Sequence, residues 1–255
     1  MSFSRWIILL LLACDLSARG FKSEGFYQRY IIENQRHELE KEQKKSEALL
    51  LNILPTAIAE QLKEQHQTIA ETFNDTSILF ADIVGFTILS EQISPEKLVA
   101  LLNELFSMFD DLAEKHGLEK IKTIGDAYMI VAGLPTPRND HAEAIAGIAL
   151  DMRQTIAEYN AASDMSLQIR IGIHSGPVVA GVIGKKKFAY DLWGDAVNTA
   201  ARMESHGIPN EIQVTQTTYN LLKDTCNFEE RGLIEVKGKG SRLLHQLFKF
   251  VDVTI

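Results

Sequence analysis

The chain has 255 residues, 45% of them hydrophobic and 24% charged, a globular composition that accommodates one sizeable domain and an appendage. Its net charge of −8 argues against a general nucleic-acid binder, which would normally be basic, but leaves room for a nucleotide site lined locally by Lys and Arg. The two cysteines, Cys14 and Cys226, are too few and too far apart to build a disulfide framework or a zinc site, and they fit a reducing compartment.

Residues 1–18 form a segment of their own. Arg5 precedes an apolar run from Trp6 to Cys14 that ends at Asp15, shorter than the roughly 20 residues needed to span a bilayer. Three readings stand: a membrane-surface anchor, the remnant of a longer membrane region, or a signal peptide, since Leu11-Leu12-Ala13-Cys14 loosely resembles a lipoprotein cleavage site. Membrane attachment through this segment is therefore an open expectation. Residues 19–70 read as a helical linker. No Pro or Gly occurs from Phe26 to Leu54, and the stretch is dense in Glu, Lys, Gln and Arg, which predicts a long exposed helix. A heptad seam through Ile32, Leu39 and Ile53 is interrupted by Ser46. Pro55 halts the helix, and a short second one is expected from Ile58 to Gln65. A dimerising element that transmits a signal and a simple packing helix both fit this pattern.

From residue 71 to 255 the pattern reads as one domain of alternating strands and helices. A strand is expected at 76–82, then a helix from Pro95 to His116 with Leu98, Leu101, Leu102, Leu105, Phe106 and Phe109 at helical spacing. Strands at 118–124 and 127–133 flank Gly125-Asp126, and a helix follows from Asp140 to Tyr159. Leu167 to His174 alternates as a half-buried strand. A hairpin region at 177–192 carries Lys185, Lys186 and Lys187 at its tip, read as solvated. Helices at 195–205 and 215–223 and strands at 227–236 and 243–250 complete the order. The fold class is α+β: a ferredoxin-like or palm-like βαββαβ sandwich with a C-terminal α/β extension, its helices on one face of a largely antiparallel sheet.

Two aspartates concentrate the chemistry. Asp82 closes the apolar strand Ser77-Ile78-Leu79-Phe80-Ala81, ahead of Ile83-Val84-Gly85. Asp126 follows Gly125 between two apolar runs. Carboxylates at strand ends beside glycine are hard oxygen ligands next to backbone that a phosphate can approach closely, and two of them can hold a pair of divalent ions. Taken singly, each is equally a turn residue. His174, inside an apolar strand, reads as a satisfied core histidine.

The surrounding blocks resemble class III nucleotidyl cyclases. Phe80-Ala81-Asp82-Ile83-Val84-Gly85-Phe86-Thr87 looks like their first metal motif and Lys122-Thr123-Ile124-Gly125-Asp126-Ala127-Tyr128-Met129 like their second. Gly172-Ile173-His174-Ser175-Gly176-Pro177-Val178 and the run from Trp193 to Met203 match two further blocks, so the likeness runs in order from Thr76 to Phe250. It implies an enzyme that joins the 3′-oxygen of a nucleoside triphosphate to its own α-phosphorus and expels pyrophosphate. By resemblance, Asp82 and Asp126 ligate two divalent cations, Mg²⁺ or Mn²⁺, with the carbonyl of Ile83 as a third contact. Asn198 orients the ribose, and Arg202, four residues on along one helix, stabilises charge at the α-phosphate. Lys237, between flanking Val236 and Gly238, is expected at the triphosphate; a polar turn explains it equally.

Two positions read the purine in this family, and here they hold Lys122 and Asp191. Adenine offers N1 as acceptor and its N6 amine as donor, which a Lys donor and an Asp acceptor complement; guanine reverses the pattern. The resemblance therefore implies an adenylate cyclase acting on ATP. Family sites combine metal aspartates from one subunit with the base-reading pair, Asn and Arg from the other. All occur in this chain, so a homodimer with two equivalent sites is implied. Its substrate places the catalytic domain in the cytoplasm. A guanylate cyclase is disfavoured by Lys122 and Asp191, and a catalytically silent module by the intact set. A diguanylate-forming domain should show a Gly-Gly-Asp/Glu-Glu-Phe-type turn, which the sequence lacks.

Overall fold

The computed structural model describes residues 23–64, 69–184, 188–236 and 240–251. They divide into two compact units, Met1–Ile53 and Leu54–Ile255. The first contains helix α1 (Ser23–Leu51), exposed along nearly all its length. Ile32 and Leu39 of the heptad seam are among its most exposed apolar side chains, and Arg36 and Glu40 form an i,i+4 ion pair at 2.9 Å.

The second unit opens with α2 (Thr56–Glu64), started by Pro55, whose carbonyl accepts from Ile58 N and Ala59 N. Strands β1 (Ile69–Phe73) and β2 (Ser77–Ile83) lead to a short helix α3 (Phe86–Gln92) and to α4 (Pro95–His116). The ends of α4 follow from local chemistry. Ser94 caps the first turn by accepting from Lys97 N, Pro95 stands at the first helical position, and Gly117, at φ 61°, closes the last turn. After it come β3 (Glu119–Ile124), β4 (Ala127–Ala132), α5 (His141–Ala162), β5 (Ile169–Ser175), β6 (Val178–Ile183) and β7 (Ala189–Trp193). Helix α6 (Asp195–Ser205), β8 (Ile212–Thr215), α7 (Gln216–Leu222), β9 (Cys226–Val236) and β10 (Gly240–Phe250) complete the unit.

Seven strands form the main sheet in the order β3-β4-β2-β5-β8-β10-β9, all antiparallel except the β5–β8 pair. Its first four strands, with α4 and α5 as crossovers, reproduce the expected βαββαβ arrangement, and β8, β9 and β10 are the C-terminal extension. Period-two alternation sends Leu79, Ala81 and Ile83 of β2 and Ile169, Ile171 and Ile173 of β5 into one core. There they meet Leu105 and Phe109 of α4 and Ile145, Ile148 and Met152 of α5.

The structure differs from the sequence expectation in its sheets and layers, and it adds three unexpected elements, β1, α3 and β8. Strands β1, β6 and β7 form a separate three-stranded antiparallel sheet, and β1 was not expected at all. The main sheet is also covered on both faces, because α6 lies against the side opposite α4 and α5. Gly172 of β5 makes that approach feasible: a Cβ there would stand 1.9 Å from the backbone nitrogen of Glu204 on α6.

Candidate active site

Strand register explains why the two aspartates meet. Ile124 pairs with Ala127, which leaves Gly125 and Asp126 as a two-residue hairpin tip, with Gly125 at φ 64°. Ala81 of β2 pairs with Tyr128 of β4, so the residue after Ala81, Asp82, lies alongside that tip. On its other flank Asp82 pairs with Arg170 of β5. Asp82 therefore sits between a carboxylate and a guanidinium, at the end of the sheet where the chain turns through Gly85, held at φ 72°.

The side chains interlock. Arg170 Nη2 donates to Asp82 Oδ2 at 3.2 Å, and Arg170 Nε lies 3.2 Å from Glu204 Oε1, a contact of charge rather than an aligned hydrogen bond. Burial, reinforced by the neighbouring Asp82, pushes the Asp126 carboxyl up to about 7. Burial, then the charge of Asp82, likewise lifts Glu204 to about 7. Three carboxyls thus share one guanidinium, and Asp82 Oδ1 is buried without a hydrogen-bond partner. An orphaned carboxylate oxygen in so acidic a cluster suits a divalent cation. Among the described residues no group of three His, Cys, Asp or Glu side chains is arranged around a metal position. Such an ion would therefore draw its remaining ligands from backbone, substrate or water.

The second pair lies elsewhere. Lys122 on β3 and Asp191 on β7 form an ion pair at 2.5 Å, and Asp191 Oδ1 accepts from Leu192 N at 2.8 Å. The pair links the edge strand of the main sheet to the edge strand of the small one. Asn198 is exposed and Arg202 half-buried on α6. The Glu204 carboxylate, an obvious neighbour for Arg202, is engaged by Arg170 instead. Among the described residues the side chains of Asn198 and Arg202 make no hydrogen bond or ion pair within the chain. The structure thus sets Asp82 beside Asp126 and pairs Lys122 with Asp191, and among the described residues the side chains of Asn198 and Arg202 bond to neither pair. His174 is satisfied as expected, its Nδ1 2.8 Å from Thr215 Oγ1. The Ile83 side chain is buried in the core, so only its backbone is available to a ligand. Lys237, Lys185–Lys187 and residues 1–18 lie outside the described residues, and among those described no helix is long and apolar enough to cross a membrane.

Sequence reading did not find Arg170 and Glu204. Arg170 occupies a polar position of an alternating strand, a pattern that ordinarily means solvent; here α6 covers it.

Residues 68–249 match the family described as adenylate and guanylate cyclase catalytic domain. The chain belongs to this family. The cyclase domain is 50% identical over 203 residues to an adenylate cyclase of Mycobacterium tuberculosis, covering 79% of this chain and 46% of the relative. It is 44% identical over 215 residues to the human guanylate cyclase soluble subunit beta-2, covering 84% of this chain and 35% of that one. The chain thus spans less than half the length of either curated relative. The crystal structure of the guanylate cyclase domain of RhGC from Catenaria anguillulae in complex with GTP aligns with a TM-score of 0.69 at 37% identity, covering 71% of this chain and 100% of that one. Relatives of the cyclase domain therefore include both adenylate and guanylate cyclases.

Proposed function

We propose that the chain is an adenylate cyclase that converts ATP to 3′,5′-cyclic AMP and pyrophosphate at composite sites of a homodimer. The observation that carries the choice of base is the Lys122–Asp191 pair. Family membership alone admits either purine, but this pair sets a cationic donor and an anionic acceptor side by side, pre-oriented by Leu192 N. A donor facing atom 1 and an acceptor facing substituent 6 complement adenine; with those places fixed, guanine meets donor with donor and acceptor with acceptor.

Asp82 and Asp126 would hold the Mg²⁺ or Mn²⁺ ions, with the Ile83 carbonyl beside them. When bound, these ions would offset phosphate charge and make the ribose 3′-hydroxyl more acidic. The remaining work falls to the chain. Asn198 hydrogen-bonds the ribose and holds its 3′-oxygen in line with the α-phosphorus. The oxygen gives up its proton to solvent water and attacks the α-phosphorus, the bond to the bridging oxygen breaks with its electron pair leaving on pyrophosphate, and the Arg202 guanidinium binds the charge that gathers on the α-phosphoryl oxygens. Lys237 would meet the departing pyrophosphate.

A partner chain is proposed because, among the described residues, the side chains of Asn198 and Arg202 make no hydrogen bond or ion pair, while the aspartates lie in another cluster. Two chains related by a two-fold axis would supply each other's missing half. Exposed α1, with Ile32 and Leu39 on its surface, would serve as the dimerising linker at 19–70, and residues 1–18 as a membrane attachment, with the catalytic domain in the cytoplasm. Purified protein with Mn²⁺ should form cyclic AMP from ATP and little cyclic GMP from GTP. A preference for GTP would overturn the base assignment, and no product from either nucleotide would point to a silent module.

A further inference from the structure

A charged side chain from the far edge of the main sheet meets the C-terminal end of α6. Strand β9 is irregular where that side chain arises. Gly232 pairs with Leu244 and Glu230 with His245, which leaves Arg231 as the extra residue of a β-bulge, beside Gly232 at φ 94°. A bulge of this kind re-aims a side chain. Arg231 accordingly reaches over β10 to β8, where its Nη1 donates to Gln213 Oε1, and to α6, where the same nitrogen donates to His206 O at 2.5 Å. Gln213 is 1% exposed, and its Nε2 donates to Met203 O at 2.9 Å. Two carbonyls at the helix end, where intrahelical donors run out, thus take side-chain donors. The His206 backbone nitrogen in turn donates to Arg202 O at 3.1 Å. Met203 also packs against Leu244 of β10 and Ile234 of β9 in a small core of their own.

Arg231 is half-buried and forms no ion pair among the described residues. Burial lowers its pKa, so its charge is costly there, and carbonyl dipoles at the helix end offset it instead of a carboxylate. An apolar side chain would fill the same space without that cost; what it would lose is the hold on α6. We infer that Arg231 is a positioning residue for cyclisation: it fastens the helix that carries Asn198 and Arg202 to the strand that runs on to Lys237, so that the groups meeting ribose, α-phosphate and pyrophosphate keep one spacing. The inference rests on the reading of Asn198 and Arg202 as substrate contacts in a composite site, so the test must tell the two apart.

That test uses the full chain in mixed dimers. Asp82→Ala protein mixed with Arg202→Ala protein rebuilds one site, in which the first chain supplies Asn198 and Arg202 and the second supplies the aspartates. Arg231→Met is added to either chain in turn, with subunit exchange verified and folding checked by thermal melts. Cyclic AMP formed from saturating ATP with Mn²⁺ is then measured. On the chain that supplies Arg202, Arg231→Met should cut the recovered rate about tenfold or more, the scale on which small misplacements act. On the chain that supplies the aspartates, it should change that rate by less than about twofold, because its effect passes through its own α6. Equal losses in the two placements make Arg231 merely structural and overturn the inference, as does an unchanged rate in both; either outcome spares the composite site. No recovery in the parent mixture, once exchange is verified, removes the composite reading and this inference with it. If Arg231→Met loses its cooperative melt, Arg231→Gln is placed in the same two ways and decides by the same outcomes.

Discussion

Lys122 Nζ and Asp191 Oδ2 stand 2.5 Å apart, on strands that belong to different sheets. The contact ties the separately hydrogen-bonded β6–β7 hairpin back to the β3–β4 hairpin that carries Asp126. A lysine bound to a carboxylate in this way retains further donors for a base, and the carboxylate retains lone pairs. On the proposed reading, a base would meet a preassembled pair rather than two independent side chains.

That arrangement predicts a specificity exchange. Replacing Lys122 by Glu and Asp191 by Cys removes the donor and the acceptor that match adenine, and each lost or mismatched hydrogen bond costs about 1–3 kcal/mol. The ratio of kcat/KM for ATP to that for GTP should fall by at least about tenfold in the double variant. An unchanged ratio contradicts the assignment of these two residues.

The contact of α6 with β5 predicts an ordering of glycine substitutions. At Gly172 a Cβ would lie 1.9 Å from Glu204 N and 2.4 Å from the Met203 carbonyl carbon, backbone atoms that cannot rotate aside. Gly85, by contrast, has φ 72° and nothing within 4 Å of its missing Cβ. Gly85→Ala should cost only the left-handed backbone penalty of about 1–2 kcal/mol. Gly172→Ala should exceed the 1–3 kcal/mol or so typical of overpacking and displace the helix that bears Asn198 and Arg202. Urea unfolding of both variants gives the comparison, and a milder effect at Gly172 than at Gly85 contradicts the packing described.

Glu119, at the start of β3, predicts a pH dependence of stability. Burial lifts its carboxyl from 4.5 to about 7, and its charge helps keep the buried Tyr190 hydroxyl protonated. The folded value lies above the unfolded one, so its favourable contribution is fully present below pH 4.5 and is lost as pH rises through 7. Glu119→Gln, permanently neutral, should melt above the wild type at pH 8, and the difference should shrink toward pH 4.5. A constant difference across that range contradicts the shift.

Much of the fold was legible where local chemistry decides it. Ser94-Pro95 and Gly117 bound α4 because caps act within a turn, and the apolar spacing of Leu101, Leu105 and Phe109 faces the core as periodicity requires. Strand β1 was not legible. In Ile69-Ala70-Glu71-Thr72-Phe73 only Phe73 is buried, so no alternation marks it, and it is a strand because β6 pairs with it. Helix α3 follows Gly85, which offers no capping side chain, and this removes the usual start signal. At the site, Asp82, Asp126, Lys122 and Asp191 stood out because each lies in a compact motif. Arg170 and Glu204 did not, since their pairing arises from a helix laid across a sheet face, a relationship between segments distant in sequence.

The central claim is that each site draws Asp82 and Asp126 from one chain and Asn198 and Arg202 from another. It is tested most directly by mixing Asp82→Ala protein with Arg202→Ala protein and measuring cyclic AMP formed from ATP with Mn²⁺. Each variant alone should be nearly inactive. Together they should recover activity, because the mixed dimer contains one intact site and one doubly damaged site. If subunit exchange is verified and the mixture remains as inactive as its components, the composite site is wrong.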